Sequence, residues 1–126
     1  MDVIKTRVAN LSLRNDGIIE LTISHEKGLT IEDLKQISSA IEKLSGGVKI
    51  PVLGRSINYT PPSREVRNFA AGEETAKFIK AAATIIANPL TRIAANFFLK
   101  INKPPFPFQT FTTEQEAIIW LKKMNL

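Results

Sequence analysis

The chain has 126 residues, 44% of them hydrophobic, a formal charge of +5 and no cysteine. That length fits a single domain over residues 1–126, the hydrophobic content is too high for a disordered chain, and without thiols neither disulfides nor thiolate chemistry contributes. The start, Met1-Asp2-Val3-Ile4-Lys5, lacks a signal peptide's basic region and apolar run, and the apolar stretch from Ala81 to Ala87 is far short of a membrane span of ~20 residues, so a cytoplasmic domain that does not span the membrane is expected.

In chain order, the first signals are strands. Val3 to Leu13 is apolar and β-branched, with alternation that slips between Val8 and Leu11 and so predicts a bulge near Ala9-Asn10. Ile19, Leu21 and Ile23 alternate with Glu20, Thr22 and Ser24, the period of a half-buried strand. Asn15-Asp16-Gly17 between the two stretches predicts a hairpin turn, because these residue types tolerate positive φ. Thr30 is an N-cap to which Asp33 can bond back, and Leu29 with Leu34 forms a hydrophobic staple. Leu34, Ile37, Ile41 and Leu44 then line one helical face until Gly46-Gly47 stops it.

Val48 to Gly54 is apolar on both faces and reads as a central strand, with Pro51 an unplaced irregularity. Ser63 caps a short helix from Arg64 to about Ala71, and a separate turn covers Glu73 to Phe78. Lys80 to Ala87 is a second continuous apolar strand, and Asn88-Pro89 opens a helix. In that helix Leu90, Ile93, Ala94, Phe97, Phe98 and Ile101 form one broad stripe, expected to pack on the sheet. The prolines of Lys103 to Phe108 force an extended segment, which leads into a short strand near Phe108 to Phe111. Thr113 and Glu116 then start a last helix with Ala117, Ile118, Leu121 and Met124 facing inward. The order β-β-α-β-α-β-α-β-α is that of an α/β fold: a largely parallel, mixed β-sheet with an N-terminal antiparallel hairpin at its edge. The unpaired edge makes a homodimer conceivable.

Chemistry is sparse. His25 lies alone beside Glu26 and Lys27, and no His/Asp/Glu cluster has metal-ligand spacing. Glu73-Glu74 are adjacent and cannot face one cavity together. Gly46-Gly47 follows a helix and precedes a strand, the reverse of a phosphate loop. No catalytic residue, metal or cofactor is expected. The basic residues are scattered rather than clustered, which weighs against nucleic acid as a partner.

Two features remain. Ser63 stands at a helix start with Arg64 and Arg67 within a turn. It is either a plain cap or a phosphorylation or anion site favoured by those arginines. Phe97, Phe98, Phe106 and Phe108 either fill the core or leave an apolar groove for a ligand or partner helix.

Taken together, the hairpin, the capped helix to Leu44, Ser63-Arg64-Glu65-Val66-Arg67-Asn68-Phe69, Asn88-Pro89-Leu90-Thr91-Arg92, Ile101-Asn102-Lys103-Pro104-Pro105-Phe106-Pro107 and Phe111 to Ala117 with Trp120-Leu121 resemble the small bacterial SpoIIAA-like, or STAS/SEC14-type, domains. The resemblance implies a SpoIIAA-like (STAS-like) fold. From the anti-sigma-factor antagonists it implies a regulatory, protein-interaction module modulated by phosphorylation at Ser63, although Pro-Pro-Ser-Arg-Glu stands where their Asp-Ser-x-Gly-like signature would be. From the SEC14 side it implies a carrier of a small apolar or lipid-like ligand. The first expectation is a non-enzymatic interaction module around Ser63; the second is the ligand carrier.

Overall fold

The computed structural model describes residues 3–125. Six strands, β1 (Val3–Lys5), β2 (Ala9–Leu13), β3 (Ile19–Ser24), β4 (Ile50–Ile57), β5 (Ile79–Ile85) and β6 (Phe108–Phe111), form one sheet in the order β1-β2-β3-β4-β5-β6. The pairs β1/β2 and β2/β3 are antiparallel, and β3 through β6 are parallel. The helices are α1 (Ile31–Ser45), α2 (Arg64–Ala70), α3 (Glu73–Ala76), α4 (Pro89–Ile101) and α5 (Glu114–Met124).

The expected bulge near Ala9-Asn10 is instead a full reversal earlier in the chain. Thr6 Oγ1 accepts from Ala9 N at 3.0 Å, and Thr6 N donates to Ala9 O at 2.8 Å, so Val3 to Leu13 folds into two strands. A threonine that hydrogen-bonds the backbone two or three residues on makes a turn without glycine or proline, which is why the sequence pattern shows only a slip. The turn at Asn15-Asp16-Gly17 forms, with Gly17 at φ 81°. Pro51 falls where the β4/β5 register shifts, between Ile50 and Pro51, so its missing N–H interrupts no regular ladder.

Helix α1 is built as its local signals dictate. Thr30 accepts from Asp33 N at 3.1 Å, and Asp33 Oδ2 accepts from Thr30 N at 2.9 Å. Gly46, in the left-handed region at φ 71°, ends it. Arg7, from the β1/β2 turn, donates to both carboxylate oxygens of the buried Asp33, which fixes the helix start against the hairpin.

Because side chains alternate across a strand, the two sheet faces have separate cores. On one face Ile37, Ala40 and Ile41 of α1 pack on Ala9, Leu11, Ile19 and Val52. On the other, Ala117 and Leu121 of α5 pack on Ile18, Leu53, Ala81, Ala83 and Phe111. Met124, expected inside, is exposed at the end of α5.

Candidate functional site

Two rows of residues run across the sheet beneath α4. Leu21 pairs with Gly54, Gly54 with Thr84 and Thr84 with Thr110; beside them Val52 pairs with Ala82 and Ala82 with Phe108. At the centre these rows hold small side chains, and Ala95 of α4 above them is small too. A Cβ added at Gly54 would come 3.3 Å from Thr84 Oγ1. Small residues facing one another across a helix–sheet interface leave space that larger ones would fill. Here they floor an apolar cleft of about 290 Å³, walled by Val66 and Ala70 of α2, Phe98 and Leu99 of α4, and Phe106.

Helix α4 is held over this floor by polar bonds at its two ends. Arg92 Nε donates to Thr110 Oγ1 at 3.1 Å, and Thr110 Oγ1 donates to Asn96 Oδ1 at 2.9 Å. At the far end Arg67 Nε donates to Asn102 Oδ1 at 3.4 Å and Asn102 Nδ2 donates to Asn68 Oδ1. Arg67 also donates from Nη1 to Pro62 O at 2.7 Å and lies 4.4 Å above the centre of the Phe98 ring. Between these anchors Ala95 is the buried residue of the helix.

Four of the six residues expected on the inward stripe of α4 face outward. Leu90 is 78% exposed, Ile93 65%, Phe97 59% and Ile101 61%. The helix is amphipathic, but its most apolar stripe is not the one that meets the sheet; the Arg92–Thr110 and Arg67–Asn102 bonds hold another side of it inward. Of the four phenylalanines expected to bound a groove, Phe98, Phe106 and Phe108 line the cleft, whereas Phe97 projects away from it.

One end of the cleft is polar. His25 is buried just after β3, with Nε2 3.2 Å from Ser56 Oγ and its ring edge-on to Tyr59, centroids 5.0 Å apart. Its backbone N–H donates to Ile57 O at 3.0 Å, and Asn58 Nδ2 donates to Glu26 Oε1 at 2.6 Å, joining the loops after β3 and β4. Burial pushes the His25 pKa down, which favours the neutral imidazole. Burial pushes the Tyr59 hydroxyl up, opposed by the nearby charge of Arg67. His25 carries no signal in the sequence because its partner Ser56 is 31 residues away, on a strand that runs three residues beyond its expected end at Gly54.

Ser63 is the N-cap of α2, its Oγ accepting from Val66 N at 3.3 Å, and Arg64 is exposed. Arg67, expected beside Ser63 at the surface, lines the cleft instead. Among the described residues, no group of three His, Cys, Asp or Glu side chains could hold a metal ion, and no helix is long and apolar enough to cross a membrane.

The architecture is shared with a solved structure, an uncharacterised protein of the DUF3478 family with a SpoIIAA-like fold from Shewanella loihica PV-4. It superposes with a TM-score of 0.59 at 19% identity, over 94% of this chain and 98% of that one, and the fold is therefore SpoIIAA-like. A protein with unknown function from Arthrobacter sp. FB24 is 29% identical, over 89% of this chain and 97% of that one, with a TM-score of 0.32. No curated protein matches the chain. Residues 11–125, from β2 to the end of α5, match a family model described as a domain of unknown function, and the chain belongs to that family, DUF7793.

Proposed function

We propose that the domain is a non-enzymatic receptor or carrier for a small, largely apolar molecule bound between the sheet and α4. The observation that carries this reading is the cleft itself: about 290 Å³ over a floor of Gly54, Ala82 and Thr84, under a helix held by polar bonds at its ends. A concave, mostly apolar site with a few convergent polar groups is the usual form of a small-molecule site, and His25, Ser56 and Tyr59 supply those groups here. The reading takes the ligand-carrier expectation ahead of the Ser63 interaction module. Capping α2 gives Ser63 a sufficient structural role, and the Arg67 side chain lines the cleft.

Protein isolated gently from its own cells should show, by native mass spectrometry, a bound molecule that is lost on denaturation. Ala82→Phe, which fills the floor, should abolish that adduct while the fold is kept. Bare protein mass in the wild type, together with no binding of added apolar compounds, would refute the proposal.

A further inference from the structure

We infer that the cleft binds a monocarboxylic acid with an apolar body of about seven carbons, its carboxylate held by Arg67. This rests on the cleft being a ligand site and adds the chemical class. No Asp or Glu lines the cleft, which carries three basic side chains, His25, Arg55 and Arg67. They are not equivalent. His25 is buried against Ser56 as a hydrogen-bonding group, and Arg55 is paired with Glu20 and Glu114. Arg67 has no carboxylate partner among the described residues.

Its bonds within the protein do not exhaust it. Nη1 reaches Pro62 O and Nε reaches Asn102, whereas Nη2 has no protein acceptor among the described residues. A guanidinium carries five N–H donors in a planar fork, so donors remain, and the Phe98 ring beneath it fixes the plane. A cation without a counter-charge at the wall of an apolar cleft is complemented by an anion that brings its own apolar body.

Size and charge narrow the class. At roughly 30 Å³ per heavy atom, a share like that of a water molecule in the liquid, a cleft of about 290 Å³ holds about ten non-hydrogen atoms. One unpaired guanidinium balances the single charge of a carboxylate, whereas a phosphate monoester carries nearly two.

The test is titration calorimetry at pH 7.5 with octanoic acid, 1-octanol and octyl phosphate. Octanoate should bind at least about tenfold tighter than octanol, the least that one charge-assisted hydrogen bond provides. Arg67→Gln should bring octanoate to the level of octanol. Asn102→Ala, which breaks the bond to α4 but keeps the charge, should retain the preference; thermal melts of both variants establish that they fold. Equal affinity of the wild type for octanoate and octanol would overturn the inference and leave the apolar site standing. Octyl phosphate binding tenfold tighter than octanoate would overturn the carboxylate assignment. Loss of the preference in Asn102→Ala to the same extent as in Arg67→Gln would make Arg67 a positioning residue and overturn the assignment. No binding of any of the three would refute the cleft as a ligand site altogether.

Discussion

Helices α4 and α5 lie over opposite faces of the same parallel strands and solve opposite problems. Under α5 the neighbours are matched: Ala117 and Leu121 are fully buried against Ile18, Leu53, Ala81 and Ala83, and the interface is closed. Under α4 the floor residues are one position along the same strands, Gly54, Ala82 and Thr84, and the space above them stays open. Helix α4 carries more large apolar side chains than α5, yet it presents Leu90, Ile93, Phe97 and Ile101 outward. Apolar content therefore does not determine which helix–sheet interface is filled; the sizes of the facing residues and the anchors of the helix do. A helix fixed by hydrogen bonds at its ends can stand over empty space, whereas one fixed by packing cannot.

The sharpest break in that comparison is Leu121→Ala. It creates a cavity in the closed interface and should cost about 2–5 kcal/mol in urea unfolding; a loss below about 1 kcal/mol would mean that the α5 interface is not close-packed. Next is a pair of adjacent substitutions. Ala81→Leu overpacks the α5 side and should cost about 1–3 kcal/mol or more, whereas Ala82→Leu enters the cleft and should cost less than about 1 kcal/mol. Equal penalties would erase the distinction between the two faces.

How much of this was legible in the sequence follows from the range of the interactions. The α1 cap at Thr30 and Asp33, the stop at Gly46 and the turn at Gly17 are set by residues a few positions apart, and each formed as its signal predicted. The largely parallel sheet with an antiparallel edge followed from the alternation of elements. The cleft was only partly legible. Phe98, Phe106 and Phe108 were identifiable as a group, but Arg92 meets Thr110 across 18 residues, Arg67 meets Asn102 across 35 and His25 meets Ser56 across 31. No periodicity encodes those distances, so neither the orientation of α4 nor the His25–Ser56 contact is legible in the sequence.

Two smaller effects sharpen the picture. The Arg7 guanidinium beside Asp33 holds that carboxyl below its usual range. The stabilisation is therefore present above the unfolded carboxylate range near about 4 and is lost as pH falls through the lowered folded value. Asp33→Asn should cost about 1 kcal/mol at neutral pH through the weakened cap and ion pair, and it should flatten the acid limb of stability against pH; an unchanged acid limb would place the titration elsewhere. Smallest of all, Phe97→Ser should change stability by no more than about 0.5 kcal/mol, as for an exposed side chain. A loss of several times that would show that Phe97 packs inward after all.

The most direct test is an amide-resolved NMR titration of the protein with 1-octanol. The account predicts saturable shifts at Gly54, Ala82, Thr84, Ala95 and Phe98, with Ala117 and Leu121 unmoved. Shifts absent from the first group, or as large around Leu121, would contradict a ligand site beneath α4.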